Sequence, residues 1–221
     1  GVTALCSFVS SRSGVHFVDL SDNAVEDECC TALATMLSLR TGEGGSPVKG
    51  LTLALNEISS VGIEALRLGD GSMGGALQSL DVSGNALGDD GAAVLAKALA
   101  SESCRLQTLS VSNNSITATG IVAVASAVKS RNTVMSLSVD DNEVGGAVTT
   151  LADCPSLRFL SIRNTGLTDA WSKAFSAKIV LSDSPRQMQL DCRGNGECGE
   201  ASRTALAGVA RIHRSFKAIW Q

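Results

Sequence analysis

The stretch from Leu106 to Val128 changes its hydrophobic period halfway along. Leu106, Leu109 and Val111, followed by Asn114, alternate with polar residues as a half-buried strand does. Ile121, Val124, Ala125 and Val128 instead return every three or four residues, as the inner stripe of a helix does. The switch predicts a strand, a turn and a helix within one short unit, and that unit recurs along the chain. An asparagine column falls at Asn23, Asn56, Asn85, Asn114, Asn142 and Asn195, with Thr165 in its place in one irregular copy. Three residues earlier stand Leu20, Leu53, Val82, Val111, Val139, Ile162 and Cys192; two residues before those stand Val18, Leu51, Leu80, Leu109, Leu137, Leu160 and Leu190. Gly62, Gly91 and Gly120 follow the asparagine by six residues in the three most regular copies. Successive copies are 28 to 33 residues apart, save for a short step to Thr165.

A unit this small cannot bury its own apolar face, so copies stack, strands into a parallel sheet and helices into a second layer. Each asparagine sits where the chain leaves the strand, and its amide can satisfy backbone groups that the turn strips of partners. An unpaired buried group costs roughly 1–3 kcal/mol, which marks the column as structural. On these residues the whole chain resembles the ribonuclease-inhibitor-like subfamily of leucine-rich-repeat proteins, whose repeats carry full α-helices on the outer face. The resemblance implies an α/β solenoid, a horseshoe with a parallel concave sheet and α-helices on its convex face.

The expected organisation is one domain over residues 1–221 with about seven repeats. The first nine residues, G-V-T-A-L-C-S-F-V, match the helical half of a repeat, so a start in mid-repeat and a longer parent protein are expected. Two glycine-bearing stretches, Thr41 to Pro47 and Gly69 to Gly75, read as surface connections. Neither carries the Lys-Ser or Lys-Thr of a phosphate loop. Repeat five has a shortened helical half, weakened by Gly145 and Gly146. Repeat six breaks the pattern, with Asn164 one place early, Trp171 and Phe175 in place of small residues, and an irregular connection from Ile179 to Pro185. The last repeat predicts a closing cap helix running to Trp220, with Leu206, Val209, Ile212, Phe216 and Ile219 inward and Arg203, Arg211, Arg214 and Lys217 outward.

Composition changes this picture little. Aromatic content is 3% with no Tyr, as suits a core that is a column of aliphatic residues. No apolar run is long enough to span a membrane, and no secretory leader opens the chain, so the cytoplasm or nucleus is the expected compartment. None of the seven cysteines forms C-x-x-C. They read as reduced thiols acting as small hydrophobes, with a Cys192–Cys198 bridge as the oxidised alternative. His16 and His213 lie at opposite ends of the array, and no catalytic constellation, cofactor site or metal site is expected.

Function is therefore sought on the surface. Strand residues between the core positions point to the concave side. One column there is Phe17, Gly50, Ser79, Thr108, Ser136, Phe159 and Gln189; the next is Asp19, Thr52, Asp81, Ser110, Ser138, Ser161 and Asp191; the third is Ser21, Ala54, Ser83, Ser112, Asp140, Arg163 and Arg193. The middle of the face is small and hydroxylic, whereas binding anchors favour large aromatics and Arg. The candidate partner-binding residues are His16, Phe17, Asp19, Asp81, Asp140, Arg158, Phe159, Arg163 and Arg193. Charge is uneven: 8 Lys and Arg against 17 Asp and Glu up to Leu157, then 10 against 5. The acidic total, without basic residues interleaved with aromatics, argues against nucleic acid. The expected role is a non-enzymatic protein-interaction module of an intracellular scaffold or sensor. The alternatives are a small-GTPase regulator resembling Ran GTPase-activating proteins and the ligand-sensing repeat domain of an immune-type receptor.

Overall fold

A computed structural model describes residues 1–40, 47–71, 76–181 and 187–220. Helix α1 (Val2–Ser10) is followed by β1 (Phe17–Asp19), α2 (Asp27–Leu39), β2 (Gly50–Thr52), α3 (Ser60–Ala65), β3 (Ser79–Asp81) and α4 (Gly88–Ala100). Then come β4 (Thr108–Ser110), α5 (Ala118–Arg131), β5 (Ser136–Ser138), a 3₁₀ helix (Gly145–Asp153), β6 (Phe159–Ser161), α6 (Asp169–Val180), β7 (Met188–Asp191), α7 (Glu200–Ile212) and β8 (Phe216–Ile219). The strands form one parallel sheet in sequence order, and the helices alternate with them. Strand and helix halves thus follow the change of period seen in the sequence.

The register matches the repeat column for column. Val18, Leu51, Leu80, Leu109, Leu137, Leu160 and Leu190 pair in one line across the sheet. All are buried, as is the line from Leu20 through Val82 to Cys192. Helix residues such as Leu33, Leu95, Val124, Phe175 and Val209 close the same core from the other side. Burial of these side chains, each contributing roughly 1.5–3 kcal/mol, joins neighbouring repeats rather than filling any single one.

The asparagine column is a ladder of shared hydrogen bonds. The Asn142 amide nitrogen donates to Val111 O, Val139 O and Asp140 O (3.0, 3.0 and 3.1 Å). Its carbonyl accepts from the backbone N–H groups of Asn114 and Ile116 (3.0 and 2.9 Å). One amide therefore satisfies both its own turn and the turn before it. Asn56 and Asn195 make the same two-sided set, and Asn85 and Asn114 reach back in the same way. Asn23 departs from the expected role: it is exposed and its amide donates to Ser21 O within its own turn. Thr165 replaces the amide with a hydroxyl that donates to Ile162 O at 2.8 Å and lies 3.4 Å from Asn195 Oδ1 of the next repeat, with no side-chain bond, among the described residues, to the repeat before it.

The residue just before each ladder position is left-handed: Asp22, Leu55, Gly84, Asn113, Asp141, Asn164 and Gly194 all have φ between 50° and 75°. Asn164 is therefore not a ladder asparagine out of place. It occupies this left-handed position, which Asn tolerates better than most residues.

A second ladder runs along the helix N-termini. The Asp89 carboxylate, in the first turn of α4, accepts from Thr117 N, Thr117 Oγ1 and Gly120 N (2.8, 2.6 and 3.0 Å) at the start of α5. Asp27 accepts from Ser59 N and Ser59 Oγ at the start of α3. Asp169 accepts from Gly199 N, Ser202 N and Ser202 Oγ at the start of α7. Each carboxylate caps the helix of the following repeat, where orphan N–H groups and the helix dipole favour negative charge. This contact accounts for two of the three column glycines, while at Gly91 a Cβ would meet the Leu87 side chain at 2.8 Å instead. A Cβ on Gly62 would lie 2.4 Å from Asp27 Oδ1, and one on Gly120 would lie 2.6 Å from Asp89 Oδ1.

Two expectations for the irregular repeats are met. The helical half of repeat five is the 3₁₀ helix, and Trp171 and Phe175 of the adjacent α6 are buried with ring centroids 5.3 Å apart. One is corrected. The last helix does not reach Trp220: α7 ends at Ile212, His213 turns extended, and Phe216–Ile219 become β8, parallel to β7. Phe216 is buried in register with Met188, which secures its burial together with a ladder of sheet hydrogen bonds that a longer helix would forgo. Residues 41–46, 72–75 and 182–186 of the three predicted connections lie outside the described residues.

Two stability predictions follow from the ladders. Asn142→Ala lowers unfolding free energy by about 1–3 kcal/mol, whereas Ser136→Ala on the open sheet face changes it by less than about 0.5 kcal/mol; urea denaturation measures both. The second concerns pH. The Thr117 hydroxyl, chiefly, holds the Asp89 carboxyl below its ordinary range, and the Ser202 hydroxyl does the same for Asp169. A depressed folded pKa adds stability that is present above the unfolded value of about 3.9 and is lost as pH falls through the folded value. The urea midpoint should therefore drop below about pH 4. Asp89→Ala should cost about 0.5–2 kcal/mol at neutral pH and flatten that acid slope.

Candidate functional site

Inner sheet positions are core and turn positions are ladder, so the free chemistry lies on the open face of the sheet. Its centre is a chain of hydroxyls: Ser83 Oγ to Ser110 Oγ at 2.6 Å, Ser110 to Ser112 at 3.4 Å and Ser112 to Ser138 at 2.8 Å. These groups satisfy one another. Asp81 is tied at its own turn by Ser83 N, and Asp19 by Ser21 N and Ser21 Oγ. The Ser21 hydroxyl is the main cause that holds the Asp19 carboxyl below its usual range.

At the β1 end, Phe17 is 72% exposed and its ring lies over Gly50, where a Cβ would come within 2.4 Å of it. A larger residue at position 50 would have to displace the Phe17 ring. His16 Nδ1 is 3.1 Å from Pro47 O. Phe17 and His16 therefore share one corner of the face, five strands from Phe159.

The other end, at β5 to β7, is more charged. Arg193 grips Asp191 with Nε at 3.0 Å from Oδ1 and an Nη at 2.7 Å from Oδ2. Asp191 is buried, which works to raise its pKa, but the Arg193 hydrogen bonds and charge, with the Arg163 charge, bring it below the ordinary range. Asp140 Oδ1 accepts from Ser161 Oγ and from the backbone N–H of Arg163, both at 2.7 Å. Among the described residues the Arg163 guanidinium has no hydrogen-bond or ion-pair partner, and it is exposed. The sequence pattern places Arg163 and Arg193 side by side, and the structure shows that they differ: one is engaged by a buried carboxylate and the other is open.

Arg158 is not part of this group. It lies before β6 rather than after it, and its guanidinium turns back to Pro155 O at 2.9 Å. Phe159, half-buried, opens the same strand, so the apolar and cationic elements sit at opposite ends of β6 rather than side by side. Residues that sequence reasoning missed are Ser161, whose hydroxyl occupies Asp140, and the capping aspartates Asp27, Asp89 and Asp169. The caps had a signal: an aspartate four residues after the ladder position, met in the next repeat by Ser59 or Thr117 three residues after the ladder position, and for Asp169 by Ser202 seven after it.

Elsewhere, a groove of about 660 Å³ lies between α3 and α4, lined by residues that include Ile63, Leu68, Val94 and Lys97. Among the described residues there is no cluster of His, Cys, Asp or Glu suited to a metal ion, and no helix is long and apolar enough to cross a membrane.

Comparison with protein families matches a leucine rich repeat at residues 77–96 and 102–125, which covers β3, most of α4, β4 and the first half of α5. The fold is a leucine-rich-repeat solenoid. No curated protein matches the chain. Leucine-rich-repeat domains are generally protein-interaction modules.

All seven cysteines are free thiols. Burial pushes the Cys30 and Cys192 thiols up to about 12, and it also raises those of Cys6, Cys104 and Cys198. In native protein at pH 8 a thiol reagent should label half-buried Cys29 first and leave Cys30 and Cys192 unlabelled until unfolding. All seven should then titrate without prior reduction. A Cys192–Cys198 bridge found by mass spectrometry would contradict this.

Proposed function

We propose that the chain is a non-enzymatic protein-interaction module of an intracellular scaffold or sensor protein, working in the cytoplasm or nucleus, and that its partner docks on the open sheet face at β5 to β7. The observation that carries this reading is the contrast between Arg193, held by Asp191, and Arg163, which lies in the open beside it. A guanidinium free of internal hydrogen bonds, carried on the turn that follows β6, gives up no internal pairing when it binds a carboxylate. The candidate residues Asp140, Phe159, Arg163 and Arg193 support this end of the face. His16 and Phe17 offer a smaller contact at the other end, and Asp19 and Asp81 are engaged by their own turns. Arg158 is assigned to its loop.

The ribonuclease-inhibitor-like reading is supported by the outer layer, where α2, α4, α5, α6 and α7 are full helices of 12 to 14 residues. Small hydroxyls, satisfied among themselves, dominate the centre of the face, and this supports recognition at its ends.

The test is affinity capture from lysate followed by hydrogen exchange on the isolated complex. The partner should protect amides of β5 to β7 and be captured poorly by Phe159→Ala, Arg163→Ala protein that melts like the wild type. Arg193 is left unchanged because removing it would strand the buried Asp191 carboxylate. Protection confined to the helical layer, with capture undiminished, would reject the sheet face as the docking surface.

A further inference from the structure

The geometry points to an extended, acidic peptide segment as the occupant of this face: we infer that a partner strand lies along β6 with an apolar side chain on Phe159 and, four residues away, a carboxylate on Arg163. The inference rests on the docking surface proposed above and adds the chemistry of the partner.

The open face presents Phe159 and Ser161 of β6, which share a face as alternate strand residues, and then Arg163 in the turn that follows the strand. Phe159 is half-buried, Ser161 is 4% exposed and Arg163 is exposed, so an apolar ring and a cation flank a small, sunken hydroxyl. The two ends are separated by four residues, or about 13 Å. An extended partner has the same two-residue period, so its positions one, three and five face this strand together. An apolar group at one end then meets Phe159, a small residue passes over Ser161, and the far end reaches Arg163. The shallow middle disfavours a helix, whose same-face side chains bulge at every turn.

Charge decides what stands at the far end. Both local carboxylates are already engaged. Arg193 takes both oxygens of Asp191, and Asp140 Oδ1 accepts the Ser161 hydroxyl and the Arg163 N–H. Among the described residues the Arg163 fork has no ion-pair partner, and it suits a carboxylate in two-pronged geometry. The wider field agrees, since the chain from Arg158 onward carries 10 Lys and Arg against 5 Asp and Glu.

The experiment is selection of displayed random decapeptides on the purified chain and, separately, on Arg163→Glu protein with matched melting temperature. The wild type should enrich Asp or Glu four positions from an aliphatic or aromatic residue, and Arg163→Glu should enrich Lys or Arg at that place. A synthetic peptide from the wild-type selection should bind Arg163→Glu, and Arg163→Gln, at least about tenfold more weakly, which corresponds to roughly 1.4 kcal/mol. Changing its acidic residue to Asn should weaken binding to the wild type to a similar degree. Enrichment without the acidic position, enrichment at another spacing, equal binding to both proteins, or no enrichment would each overturn the inference. Hydrogen exchange on the captured partner judges the docking surface independently, so the two readings can fail separately.

Discussion

A primary amide offers two N–H donors and one carbonyl acceptor, and the solenoid depends on all of them being used at once. At Asn142 the donors bind carbonyls of two successive repeats, and the acceptor takes two N–H groups of the earlier turn. The turn that leads from strand to helix strips its backbone of partners, and in a stack of such turns no water can enter to replace them. A side chain of fixed length that links each turn to the one before it satisfies those groups and sets the spacing of the stack. The in-register leucine columns and the left-handed residue before each ladder position are consistent with that spacing. Where the amide is replaced, at Thr165, the backward bond is lost, and there the neighbouring repeat is shortened and its helix becomes 3₁₀.

With core and turn assigned, the open face retains only alternate strand positions, and most of these are small. The variety it allows is concentrated in Phe17 at one end and in Phe159, Arg163 and the Asp191–Arg193 pair at the other. A rigid sheet holds those side chains at strand spacing, so recognition here follows distances set by the backbone rather than by loops.

Much of the architecture was legible because periodicity in the sequence and periodicity in space are the same quantity. The columns Val18 to Leu190 and Leu20 to Cys192 fall where the spacing put them. The left-handed column had a signal that was missed: six of its seven residues are Gly, Asn or Asp, the types that favour positive φ, and Leu55 alone departs from it. The closing helix was misread because Phe216 and Ile219 fit a helical stripe as well as a strand, and pairing with β7 decides between them. In the site, the sequence placed Arg163 and Arg193 together, but their difference depends on which carboxylate oxygen each neighbour reaches. Nor did it show that Arg158 turns back on its own loop.

The aspartate caps are not spread evenly. Asp27, Asp89 and Asp169 join repeat one to two, three to four and six to seven, while the equivalent positions of repeats two, four and five are Ser60, Ala118 and Gly146. Every repeat touches its neighbours, but the aspartate cap is present at the first, third and sixth junctions and absent from the second, fourth and fifth, and α4 and α5 share the most extensive helix contact. In a linear array, stability is a sum of unit and junction terms. Stretched from its two ends, such an array should part first at the uncapped junctions, with repeats one and two, three and four, and six and seven coming away as pairs and repeat five yielding singly between them.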